Sequence, residues 1–130
     1  MVKTYRKGYR GELELVHMLS KKGWLVFRSP RSGRITLPCP DIIAVKKGKI
    51  LAIECKVRRD AFSIPIEQLD QLKQWEDKGG ASVFVAWKIP HFKWLFLKLN
   101  DVIENNGNLS KRFALEKGVE FEKMLKSIDG

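Results

Sequence analysis

The chain has 130 residues, 44% of them apolar, and carries 25 Lys/Arg against 15 Asp/Glu, a net charge of +10. That length and apolar content exclude a disordered or multi-domain chain and predict one domain over residues 1–130 with one hydrophobic core. No run of about 18 apolar residues exists to cross a membrane, and the N-terminus Met-Val-Lys-Thr-Tyr-Arg-Lys lacks the apolar centre of a signal peptide, so a cytoplasmic protein without a membrane partner is expected.

The surplus charge is uneven: nine Lys/Arg against two Glu in residues 1–34, six against three acids in 35–60, and ten against ten in 61–130. A basic half of this kind points to a polyanionic partner, nucleic acid ahead of an acidic membrane surface; an ordinary solvated basic face is the plain alternative. Residues 1–7 read as a basic arm that offers Arg6 and Lys7 to phosphates, or as a frayed terminus. From Gly8 to Lys22 the spacing of Leu15, Val16 and Leu19 predicts an amphipathic helix ended by Gly23, and Glu12 falls in the middle of its apolar stripe. A carboxylate there is costly unless compensated, either by a cation held jointly with other acids or by a Lys or Arg partner; spacing alone leaves both readings open.

Trp24 to Ser29 reads as a strand, followed by the basic loop Pro30-Arg31-Ser32-Gly33-Arg34. Arg28, Arg31 and Arg34, with Ser29 and Ser32, are the donors expected to hold a phosphate backbone, unless the loop is a solvated connector.

The stretch Pro40 to Lys56 predicts a β-hairpin turning at Lys47-Gly48, because the Gly suits the positive φ that a tight hairpin requires. Facing residues then have numbers that sum to 95, which sets Val45 opposite Ile50, Ile43 opposite Ala52 and Asp41 opposite Glu54. Opposed residues on one face lie about 4.5–5.5 Å apart at Cβ, and two bare carboxylates so close repel unless a positive charge lies between them. Period-2 alternation puts Lys56 on the same face as Glu54. Cys55 points the other way, into the core, and Cys39 lies opposite Lys56; the two sulfurs belong to different faces and form neither a disulfide nor a metal site. His17 and His91 are isolated and read as ordinary surface or turn residues.

Arg58-Arg59 ends the hairpin strand, and Phe62 to Pro65 reads as a loop beside the acids. A helix is predicted from Ile66 to Lys78, with Leu69, Leu72 and Trp75 on one face, Gln68 flanking it and Gly79-Gly80 stopping it. Ala81–Ile89 and Lys93–Leu99 read as antiparallel strands joined at Pro90-His91, rich enough in Trp87, Phe92, Trp94 and Phe96 to need cover from helices or a second subunit. Asp101–Asn105 reads as a helical turn, Asn106-Gly107-Asn108 as a turn, Leu109–Leu115 as a short edge strand and Val119–Ile128 as a closing helix. The expected fold is α/β, a mixed central β-sheet built on the hairpin and flanked by helices.

Hard cations such as Mg²⁺ take oxygen ligands, commonly one or two carboxylates plus water and substrate phosphate. Asp41 and Glu54 supply such a pair, Glu12 a third oxygen source, and Lys56 a charge able to orient water or offset developing charge. Pro40-Asp41 followed by Glu54-Cys55-Lys56, with Glu12 on the first helix, resembles the PD-(D/E)xK nuclease superfamily. The wider set Arg6-Lys7-Gly8, Arg28-Ser29-Pro30, Ser32-Gly33, Pro40-Asp41-Ile42-Ile43-Ala44, Gln68 and Gly79-Gly80 resembles the archaeal Holliday junction resolvases within it. That likeness covers nearly the whole chain and is weakest after Leu99; Leu13 stands where many members carry Arg.

The resemblance implies a restriction-endonuclease-like nuclease fold and a homodimer that binds four-way DNA junctions and cuts two opposed strands symmetrically. It also implies dependence on Mg²⁺, with Mn²⁺ substituting, and no small-molecule cofactor. Glu12, Asp41 and Glu54 are then metal ligands and Lys56 the catalytic lysine, with Ser32 and Gln68 in support. Arg6, Lys7, Arg10, Arg28, Arg31, Arg34, Arg58 and Arg59 are the expected DNA contacts. A related nuclease acting on plain duplex DNA and a non-catalytic DNA-binding module are the two alternatives.

Overall fold

The computed structural model describes the main chain of residues 2–29 and 39–129 and the side chains of 8–29 and 39–128. Ser32, Arg31 and Arg34 lie outside the described residues, as do the side chains of Arg6 and Lys7. The elements run α1 (Val2–Lys21), β1 (Leu25–Arg28), β2 (Ile42–Lys46), β3 (Lys49–Val57), β4 (Phe62–Ser63), α2 (Ile66–Asp77), β5 (Ser82–Lys88), β6 (Trp94–Lys98), α3 (Leu99–Glu104), β7 (Asn108–Leu109), α4 (Lys111–Lys117) and α5 (Phe121–Asp129).

Five strands form one mixed sheet in the order β1-β2-β3-β5-β6. Only β3 and β5 are parallel, and α2 is the crossover between them; the other neighbours are antiparallel. A tight turn can join antiparallel strands, whereas a parallel pair needs a crossover of this length. The hairpin register is as expected: Val45 faces Ile50 and Ile43 faces Ala52, with Lys47 at φ 48 and Gly48 at φ 81 making the two-residue turn.

Alternate residues of the hairpin feed two cores. Ile42, Ala44, Ile53 and Cys55 pack with Leu15 and Leu19 of α1 and Met124 of α5. Ala52, Val83, Val85 and Trp87 pack on the opposite side with Leu69 and Leu72 of α2, Val102 of α3 and Ala114 of α4. The helices bury Trp87, Trp94 and Phe96, and Phe92 stays 42% exposed in the β5–β6 turn. Cys55 is buried and Cys39 exposed, both free.

Three local expectations change. First, α1 begins at Val2, so residues 2–7 continue the helix instead of forming a separate arm. Gly8 inside that helix costs only about 1 kcal/mol, too little to end a run that continues into the buried stripe of Leu15 and Leu19. Second, the stretch read as an edge strand is β7 followed by α4, because Ser110 caps the helix by accepting the Phe113 amide at 3.1 Å and Lys111, Arg112, Ala114 and Leu115 are strong helix formers. Third, Phe62-Ser63 is a short strand paired with β7, and Val119 precedes the last helix as a bridge to Phe96.

Candidate active site

The hairpin ladder ends at the pair Ile42–Ile53, and Asp41 sits in the bend just beyond it. Asp41 is fixed twice there: its carbonyl accepts the Ser29 amide at 2.9 Å, and its Oδ2 accepts the Cys55 amide at 2.8 Å. The Cys55 N–H is the donor that the ladder would leave unmet, so Asp41 caps the end of β3 with its side chain. A carboxylate accepting a buried amide is a strong, directional bond, and it ties Asp41 to the strand that carries Glu54 and Lys56.

Glu54 projects from the middle of the sheet toward the first turn of α2, where Gln68 Nε2 donates to its Oε2 at 2.6 Å. Lys56, two residues along on the same face, places Nζ 3.6 Å from that same oxygen. Glu12 approaches from α1, with Oε1 3.5 Å from Nη1 of Arg28 at the end of β1. The Arg28 guanidinium also lies 4.5 Å from the centroid of the Tyr9 ring, a cation–π contact.

These side chains converge. One open cavity of about 390 Å³ is lined by Gly8, Tyr9, Glu12, Arg28, Asp41, Glu54, Cys55, Lys56, Val57 and Arg58. Its carboxylates are only 2% (Glu12), 8% (Asp41) and 6% (Glu54) exposed. Removing an ionised carboxylate from water costs several kcal/mol even after relaxation, and ion pairs at 3.5–3.6 Å return only part of it. Three buried acids facing Arg28, Lys56 and Arg58 across one cavity are therefore an expensive arrangement, of the kind found where charge does chemistry.

The donor set suits a hard divalent cation: all oxygen, anionic and held on rigid strands and a helix. Among the described residues no three His, Cys, Asp or Glu side chains form a ready-made cage.

Other expected residues divide. Gln68 reaches Glu54 and so belongs to the site, whereas Arg10 and Arg59 line a neighbouring cleft and not this cavity. Tyr9 was not expected here, although it stands three residues before Glu12 on α1, the spacing that brings two side chains to one helix face.

A family model described as archaeal Holliday junction resolvase (Hjc) matches residues 3–129. The curated crossover junction endodeoxyribonuclease Hjc of Archaeoglobus fulgidus is 33% identical over 87% of this chain and 81% of its own, and that of Sulfolobus acidocaldarius is 31% identical over 95% and 90%. In structure the chain is similar to that of the Archaeoglobus fulgidus Hjc, a Holliday junction resolvase, with a TM-score of 0.77 at 29% identity over 87% of this chain and 95% of that one. The sheet and its helices thus have the frame of a nuclease fold. The chain belongs to the archaeal Holliday junction resolvase family.

Proposed function

We propose that the protein is a divalent-metal-dependent endonuclease that binds four-way DNA junctions and hydrolyses one phosphodiester in each of two opposed strands. The observation that carries this reading is the single cavity in which Glu12, Asp41, Glu54 and Lys56 meet on the basic half of the chain. Family membership supports the substrate.

Asp41 and Glu54, with Glu12 as the third carboxylate, would hold Mg²⁺, or Mn²⁺ in its place, which would supply Lewis acidity toward water and the phosphate. The chain's own groups do the rest. Gln68 holds one oxygen of Glu54 in a fixed direction, as outer partners of metal ligands do. Lys56 places an ammonium beside that oxygen, where it orients the attacking water and stabilises charge developing on the phosphate. Arg28, held by Glu12 and the Tyr9 ring, presents a guanidinium fork to the phosphate at the cavity mouth, and Arg58 adds a second cation there. Ser32, Arg31 and Arg34 belong to the same reading as supporting and DNA-contacting residues, and so do Arg6 and Lys7. The protein works in the cytoplasm, where its DNA substrate lies.

A four-way junction has approximate twofold symmetry, and a twofold dimer presents one cavity to each of two opposed strands. Leu25 (78% exposed), Phe27 (60%) and Val45 (38%) share one face of β1 and β2 and supply an apolar surface for a second copy.

The deciding experiment is cleavage of an end-labelled synthetic four-way junction beside linear duplex of the same arms, with Mg²⁺ and then with chelator. Paired nicks in opposed strands, on the junction only and with metal only, are expected. Equal cutting of duplex replaces the reading with a general duplex nuclease, and tight junction binding without cutting replaces it with a binding module.

A further inference from the structure

The last pair of the parallel β3–β5 ladder is Val57–Lys88, and Arg58 comes directly after it. Its backbone is pinned at both polar groups: the N–H donates to the Lys88 carbonyl at 3.2 Å, and the carbonyl accepts the Trp87 indole N–H at 2.9 Å. A carbonyl past the last rung has no strand to bond, so the indole takes the place of a backbone donor. Trp87 is the β5 neighbour of Lys56 and only 1% exposed, so it is anchored in the core while its nitrogen reaches the end of the strand that carries Glu54 and Lys56.

The side chain of Arg58 is held as well. Its guanidinium carbon lies 5.8 Å from the centroid of the Phe62 ring, and that ring meets Trp87 edge to face, with centroids 4.9 Å apart and planes at 87°. Phe62 is fixed in turn by its pairing with Leu109. Trp87, Phe62 and Arg58 thus form one connected group, of which only Arg58 lines the cavity. The two arginines of the cavity mouth are framed differently. Arg28 faces the Glu12 carboxylate at 3.5 Å, whereas among the described residues no carboxylate pairs with Arg58, and its Nη1 makes one long bond to the Val57 carbonyl at 3.4 Å. An aromatic face orients a guanidinium without cancelling its charge and leaves its outward N–H donors to an anion.

We infer that Trp87 and Phe62 are positioning residues for the substrate phosphate: they set the direction of the Arg58 guanidinium at the cavity mouth and leave its charge to the DNA. The inference rests on the nuclease reading and deepens it, since neither aromatic side chain lines the cavity. Without the two rings Arg58 would begin a loop beyond the last ladder pair, and its long side chain would lose its rotamer freedom only on meeting phosphate, which weakens the contact.

The test is a double-substitution cycle on the full chain. Trp87→Phe keeps a ring in the core and removes the indole donor; Phe62→Leu keeps apolar volume and removes the π face. Each is made alone and together with Arg58→Gln, and every protein is measured for junction affinity by fluorescence anisotropy with chelator present and for single-turnover cleavage with Mg²⁺. Arg58→Gln is expected to weaken junction binding on the order of tenfold, the loss of one charged hydrogen bond. Trp87→Phe is expected to weaken it about two- to tenfold and Phe62→Leu about two- to fivefold, with cleavage falling alongside. In the Arg58→Gln background both aromatic substitutions are expected to lose their effect, because no guanidinium is left to orient. Equal losses with and without Arg58, or no loss in either single variant, overturn the positioning role while the nuclease reading stands. Where urea titration shows Trp87→Phe to be unfolded, the Phe62→Leu cycle decides alone. A chain that binds the junction without cutting it overturns the nuclease reading, and the affinity cycle still decides the positioning; failure to bind the junction overturns both.

Discussion

At the hairpin end of the sheet Glu12, Asp41 and Glu54 are buried around one cavity with Arg28 and Lys56; at the other end Lys93–Glu120 and Arg112–Glu116 form ion pairs that stand in water. Exposed pairs of the second kind contribute about 0–1 kcal/mol and are screened by salt, so they keep the far half soluble without shaping it. Buried acids of the first kind work against folding, and packing elsewhere must offset them. The far half supplies that packing through Trp87, Leu97, Leu99 and Val102, all essentially inaccessible to water. One region gathers buried charge at a cost in stability, and the other supplies stability through packing.

Three substitutions test that division, in order of expected effect. Asp41→Asn keeps an acceptor for the Cys55 amide but loses the charge; junction cleavage should fall on the order of 10³-fold, equivalent to several kcal/mol of transition-state stabilisation, with metal-free binding retained. Single-turnover cleavage beside anisotropy measures both, and a variant that still cuts at the original rate removes Asp41 from the chemistry. Gly107→Ala should do the reverse. Gly107 has φ +78 and a Cβ there would run into the Ile64 carbonyl, so urea unfolding should show a loss of about 1–3 kcal/mol while cleavage per folded molecule is unchanged. Glu116→Gln, which breaks an exposed i,i+4 pair with Arg112, should move stability by less than about 0.5 kcal/mol. A larger change would mean that the far half, too, depends on its charges.

The hairpin was legible in the sequence because turn chemistry and alternation agreed. Lys47-Gly48 fixes the turn, and a one-residue slip would turn Ile42 and Ile53 out of the core, so register followed from pattern. The proximity of Asp41, Glu54 and Lys56 followed from that register. The way Asp41 is held did not, because the ladder stops one pair early and the carboxylate takes the place of a backbone acceptor. Glu12 was legible as a misfit in an apolar stripe, but its partner Arg28 came from a strand whose docking against α1 no local pattern specifies.

The later residues were harder. Leu109 to Leu115 mixes apolar and basic residues in a way that fits either a strand or a helix, and the Ser110 cap decided for the helix. Arg10 and Arg59 were legible as DNA contacts, but their meeting with Glu14 and Lys88 in one cleft was not, because those two are 74 positions apart and come together only once β5 has crossed to lie beside β3.

The place of β3 in the middle of the sheet has a consequence for how the protein comes apart. Its backbone is bonded on both sides, to β2 and to β5, and Leu51, Ala52 and Ile53 are fully inaccessible. Amide protons there exchange with solvent only through opening of the whole sheet, whereas β1, an edge strand bonded on one side, can detach by a smaller fluctuation. Under mild denaturant Arg28 therefore leaves its carboxylate before Glu54 and Lys56 lose their framework. The strand that carries Glu54 and Lys56 lasts as long as the fold does, and the Arg28–Glu12 pair across the cavity loosens first.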